Sequence, residues 1–213
     1  MKTTSATGGR RTQILEAAAR LFAGQGYAGA PIREIARACG ITEAAIYRHF
    51  AGKADLYAEV IRTKAHQHDI TGYLQGRVGQ GSIEDVLRAV AEHVLALAKA
   101  DPELMRLLLA SRAGGDGGTD ALFTEIRLPY IRFLVGELSR RMDDGEVAEV
   151  EPLITARCFV GMVMDCALSS GVWERIADED FRADDVVCNN VPIFARGLER
   201  TAAPGAASNR RRP

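Results

Sequence analysis

Tyr47, Arg48, His49 and Lys53 bring four hydrogen-bond donors into seven positions. Donors of this kind, with an aromatic ring among them, suit the phosphate oxygens and base edges of a nucleic acid. A helix made only for packing seldom keeps so many together. Other chemistries lack their signatures. There is no G-x-S-x-G, no H-E-x-x-H and no dinucleotide glycine pattern, so no catalytic residue and no cofactor are expected. His66 and His68 stand about 200° apart on a helix, a poor chelate for one metal, and no metal is expected either.

The donors need a rod to carry them. Pro31 can open a short helix whose inner face holds Ile32, Ile35 and Ala36, and Gly40 supplies the positive φ that ends it. Ile41 plugs the turn and Thr42 can cap a second helix. That helix buries Ile46 and Phe50, while Glu43, Ala44, Tyr47 and Arg48 point elsewhere. Two short helices joined by a tight glycine turn form a helix-turn-helix, whose second member fits the major groove of B-DNA. A helical hairpin buried in a bundle is the plain alternative; local charge argues against it.

That charge is hidden in the total. The chain of 213 residues is close to neutral at −1. Residues 1–66, with Arg10, Arg11, Arg33, Arg48 and Lys53 among their cations, carry +5, and Arg210 to Arg212 add +3, which leaves −9 for the rest. Such a split suits an N-terminal part that meets a polyanion. A hydrophobic share of 47% excludes wholesale disorder. No apolar run is read as reaching the ~18–20 residues of a membrane span, and Met1–Arg11 is too polar for a signal peptide, so a cytoplasmic protein is expected. Cys39, Cys158, Cys166 and Cys188 lack metal or redox spacing and read as small core residues.

Periodicity is helical nearly everywhere, with no alternating β-branched run. The fold class expected is all-α, with about nine helices. Ser82 with Asp85 reads as a helix cap, and Asp101-Pro102 as a helix start. Pro129 and Pro192 interrupt their helices by releasing the carbonyls of Glu125 and Cys188. Breakers fall at Gly24–Gly29, Gly76–Gly81, Gly114–Gly118 and Asp143–Gly145. The expected organisation is a flexible arm at 1–9, a helix-turn-helix domain at 10–52, a helical effector-binding and dimerisation domain at 53–201, and a disordered basic tail at 202–213.

Residues 11–60 resemble the N-terminal domain of TetR-family transcriptional regulators. The resemblance rests on Phe22-Ala23-Gly24-Gln25-Gly26-Tyr27, on Ile35-Ala36-Arg37-Ala38-Cys39-Gly40-Ile41-Thr42, and on Ile46-Tyr47-Arg48-His49-Phe50-Ala51-Gly52-Lys53-Ala54-Asp55-Leu56. It implies that Thr42, Tyr47, His49 and Lys53 meet DNA phosphates. Glu43, Ala44, Ala45 and Arg48 are then the candidates for base edges, with Arg48 bidentate to a guanine and Glu43 able to accept from a cytosine amine. Arg10, Arg11 and Arg33 complete the basic set. Pro31 stands where the family usually has a phosphate-binding threonine, and Ala44 replaces a common glycine.

The resemblance further implies a repressor released from a palindromic operator by a small molecule. The expected ligand lining is Leu104, Leu108, Phe123, Ile126, Tyr130, Phe133, Phe159, Met162, Cys166 and Trp173, with His93, Arg127 and Asp165 as polar handles. Asp165 is the odd member: an ionised carboxylate inside an apolar helix is costly unless paired or hydrated. A homodimer is expected, because one recognition helix reads too few base pairs. Its interface is assigned to Ile154, Phe159, Val163, Leu168, Val187, Val191, Phe194 and Leu198. The competing classes are an enzyme, a helical binding protein without DNA affinity, and a redox sensor using cysteines between subunits.

Overall fold

The computed structural model describes residues 4–113, 119–176 and 183–200, and every element among them is helical. The helices are α1 (Thr4–Gly29), α2 (Ile32–Ala38), α3 (Glu43–Tyr47), α4 (Lys53–Gln67), α5 (Ile70–Gln75) and α6 (Ile83–Ala100), followed by α7 (Pro102–Ala113), α8 (Thr119–Leu122), α9 (Leu128–Asp143), α10 (Pro152–Ile176) and α11 (Ala183–Leu198). A π-turn at Phe123–Arg127 joins α8 to α9 in one continuous rod. This gives ten rods among the described residues, in line with the expected all-α fold of about nine helices. The tail at 202–213 and the glycines at 114–118 lie outside them.

Several boundaries follow from caps. The Ser82 hydroxyl accepts from the Asp85 N–H at 3.2 Å while the Asp85 carboxylate accepts from the Ser82 N–H at 2.9 Å, the reciprocal box that starts α6. Asp101 opens α7 by accepting from the Leu104 N–H at 3.0 Å. Pro129 falls at the first turn of α9, directly after the π-turn. The ring cannot donate to the Glu125 carbonyl, and the backbone absorbs the missing bond as a π-turn.

Two readings differ from expectation, at residues 4–9 and in Pro152–Ser169. α1 starts at Thr4, so residues 4–9 extend a helix where a flexible arm was expected. Gly26, at φ 73° and ψ 171°, bends the end of α1 back toward α2. The stretch Pro152–Ser169 does have the length and mean hydropathy, 1.3, of a membrane-crossing helix. Here it packs against α6, α9 and α11 as a bundle helix.

α6 is the axis of the larger unit. It buries Val86, Leu87, Val90, Ala91, Val94, Leu95 and Leu97 against α9, α10 and α11, and each such large side chain contributes about 1.5–3 kcal/mol. α1 belongs to the head by sequence yet also packs along α7 of the body. α1 and α4 therefore join the two units.

Candidate nucleic-acid interface

Every bond in the turn ahead of α3 has a local cause. Gly40 sits at φ 63°, where a side chain is disfavoured. The Ile41 N–H then donates to the Ala36 carbonyl at 3.0 Å and the Gly40 N–H to the Arg37 carbonyl at 3.1 Å, the Schellman pair that ends α2. The Thr42 hydroxyl accepts from the Ala45 N–H at 3.3 Å and starts α3. Pro31 caps α2 without a side-chain hydrogen bond.

Ile46 and Phe50 are buried, which turns the opposite side of α3 to solvent. Thr42, Glu43, Ala44 and Arg48 are exposed there, and Tyr47 is 52% exposed despite its ring. Ala45 and His49 are half-buried, with the His49 ring 6.4 Å from that of Phe50. Arg10 and Arg33 are exposed on α1 and α2.

Two of the expected DNA contacts have partners inside the protein. The Lys53 ammonium donates to the Ala28 carbonyl at 3.2 Å and lies 4.8 Å from the centre of the Tyr27 ring, and its burial lowers its pKa. Arg11 pairs with Glu59 of α4, which also pairs with Arg62, and its guanidinium lies 5.1 Å from the Phe50 ring. Both cations brace the head. Sequence reasoning missed Glu59 because its partner stands 48 positions away.

An aromatic cluster supports the same brace. Phe22, Tyr27 and Tyr57 stack or meet edge to face at centroid distances of 5.0–6.0 Å. Burial pushes the Tyr57 hydroxyl up to about 12, so it stays neutral. Cys39 is half-buried, with its sulfur 3.7 Å from the Gln13 carbonyl, and burial raises its thiol.

The residues of the expected ligand lining differ in exposure. Leu104, Leu108, Ile126, Tyr130 and Phe159 are packed core, whereas Phe123 and Asp165 face outward. Asp165 thus escapes the desolvation that its apolar neighbours suggested. His93 is half-buried: its Nδ1 lies 2.8 Å from the Tyr130 hydroxyl, and its ring stacks on Tyr73 at 3.7 Å. Arg127, Phe133, Met162 and Cys166 are half-buried, and the Trp173 side chain lies outside the described ones.

The expected dimer face is also corrected. Phe159, Val163, Leu168, Val187, Val191 and Leu198 are buried within the protomer, and Phe194 meets Phe159 edge to face at 5.1 Å. Both helices use their most apolar side to close the body. Of the residues assigned, Ile154 alone is exposed, at 63%; Leu153 and Ile193 stand out beside it at 48% and 59%.

The sequence profile of the bacterial regulatory proteins of the tetR family matches residues 14–60. The HTH-type transcriptional repressor AcnR of Corynebacterium efficiens is 28% identical over 164 residues, covering 75% of this chain and 80% of its own. The HTH-type transcriptional repressor KstR2 of Rhodococcus jostii is 42% identical over 59 residues, 28% of this chain and 29% of its own. The fold matches that of the Bacillus subtilis regulator FadR, solved with stearoyl-CoA, at a TM-score of 0.70 and 19% identity over 88% of this chain and 99% of that one. It matches AibR, solved with isovaleryl coenzyme A and operator DNA, at a TM-score of 0.63 and 24% identity over 86% and 97%. With the capped, outward-facing α3 and these relatives together, residues 14–60 form a DNA-binding head of the tetR-family type, and the chain is similar over most of its length to HTH-type transcriptional repressors.

Proposed function

We infer that the protein is a cytoplasmic repressor that binds a palindromic operator as a homodimer and leaves it when a small molecule binds the helical body. The observation that carries this reading is the solvent-facing Tyr47–Arg48 side of α3. Thr42, Tyr47 and His49 bind phosphates and set the register. Arg48 reads a guanine through its O6 and N7, with Glu43, Ala44 and Ala45 lying along neighbouring base edges. Arg10 and Arg33 add attraction for the backbone, while Arg11 and Lys53 act mainly by holding α1, α3 and α4 together.

The functional units proposed are the head at 10–52 and the body at 53–201. A second copy covers the outward sides of α10 and α11, centred on Ile154 and Ile193. This reading is supported by large aliphatic side chains left exposed on adjacent helices. The effector enters the body near the π-turn, where the ladder of hydrogen bonds is already interrupted, and meets the His93–Tyr130 pair. Coenzyme A esters bound to FadR and AibR illustrate small-molecule occupancy of this fold. The test is retention of labelled genomic fragments on the immobilised protein. The log affinity should fall linearly with log salt, and a slope near zero would remove the reading.

A further inference from the structure

A cavity of about 410 Å³ opens between α1, α4 and α7, outside the lining assigned to the effector. Its floor is apolar, formed by Leu15, Ala19 and Val60. Its rim carries both signs of charge. Glu16 and Arg20 stand one helical turn apart on α1, both exposed, and neither forms a hydrogen bond or ion pair among the described residues. The spacing would let them pair, a contact worth only about 0.2–0.5 kcal/mol, so a ligand can compete for both groups.

The other charges of the rim differ. The Lys64 ammonium is saturated, 3.0 Å from Asp101 and 2.7 Å from Glu103, and Arg11 is held by Glu59. The uncommitted pair is thus one carboxylate and one guanidinium, side by side above an apolar floor. A ligand bearing a single charge would leave one of them facing its own sign or no partner at all. A zwitterion satisfies both.

We propose that this cavity binds a free α-amino acid with an apolar side chain. Arg20 receives its carboxylate, Glu16 its ammonium, and the floor of Leu15, Ala19 and Val60 its side chain. The occupant touches α1 of the head, α4, and Glu103 of the body at once. Binding therefore selects one position of the head relative to the body, and a site here reports on DNA binding without entering the core. That last step rests on the regulatory reading; occupancy of the cavity does not.

The experiment uses the full chain and L-phenylalanine, compared with 3-phenylpropanoate, which lacks the ammonium, and phenethylamine, which lacks the carboxylate. Calorimetry and backbone amide shifts are the readouts. Saturable L-phenylalanine binding is expected, with shifts at Ala19, Val60 and Glu103, and each comparator is expected to bind about tenfold more weakly or worse. Glu16→Gln and Arg20→Gln change exposed side chains and keep the fold, and each should weaken L-phenylalanine by about tenfold. No shift up to about 10 mM, equal binding of a comparator, or shifts confined to α6, α9 and α10 would overturn the proposal. A chain that binds L-phenylalanine in the cavity but retains no DNA keeps this inference and loses the regulatory one. A chain that retains DNA and ignores the amino acid does the reverse.

Discussion

Lys64 of α4 and Asp101 at the start of α7 form a two-pronged ion pair, with the ammonium 3.1 and 3.0 Å from the two carboxylate oxygens. Asp101 is only 8% exposed and also accepts from His68 Nε2 at 3.1 Å and from the Leu104 N–H at 3.0 Å. One carboxylate thereby ties the helix that leaves the head to the first turn of the body.

Asp101→Ala should destabilise the fold by about 1–3 kcal/mol, because it removes one of the two carboxylates that hold the Lys64 ammonium and uncaps α7. Urea unfolding at neutral pH measures it. Burial by itself would raise the Asp101 pKa, but the bonds from Leu104, His68 and Lys64 outweigh it and hold the group below its ordinary value. A depressed carboxylate stabilises above its unfolded pKa and stops doing so as pH falls through the folded one. The wild type should therefore lose stability below about pH 4, and Asp101→Asn should flatten that limb.

His93 titrates in a different window. Burial, then Arg77 and His68, lower its pKa from the ordinary histidine value. The unfolded chain takes up this proton first as pH drops, so stability is full above about pH 6.5 and declines below it. His93→Gln should remove that decline. Thermal melts at pH 7.5 and 5.5 decide it, and a wild-type melting temperature unchanged between them would contradict the burial argument.

Arg48→Ala should relax the preference at one base pair of each half-site, worth about 1–3 kcal/mol. Tyr47→Ala should weaken all sequences alike, since phosphate contacts carry no sequence information. Binding-site selection with each variant separates the two roles. An unchanged Arg48→Ala motif would move base reading to Glu43 and its neighbours.

Ile154→Glu combined with Ile193→Glu should give a folded monomer, read by light scattering beside a circular dichroism melt. Both side chains are more than half exposed in the protomer, so the fold loses little. Val163→Glu puts a charge in the core and should unfold the body instead.

Gly40→Ala should cost about 1–2 kcal/mol. A Cβ there meets no atom within 4 Å, so the cost is that of a positive φ for an L side chain. Denaturant titration of the full chain detects it, and no change would mean that the turn relaxes.

The helix-turn-helix was legible because its determinants are local. Gly40, Thr42, Ile46 and Phe50 act within one or two turns, and the Schellman bonds and the threonine cap lie where their spacing puts them. The Ser82–Asp85 box and the Asp101 helix start were readable for the same reason. Arg11 and Lys53 were read as DNA contacts with no sign of the partners they have inside the protein. Their partners, Glu59 and the Ala28 carbonyl, stand 48 and 25 positions away, and periodicity cannot register such pairings.

The amino-acid order by itself determined the all-helical class, the recognition turn and the basic head, because capping, glycine φ and 3.6-residue periodicity are properties of neighbours. Only tertiary packing decided which side of α10 closes the body. That helix is apolar around most of its circumference, and its own pattern leaves the buried direction open. Packing also decided that Asp165 faces outward, that Asp101 binds α4 to α7, and that a charged-rim cavity opens beside α1. Those outcomes depend on which helices become neighbours, a matter of burial summed over the whole chain.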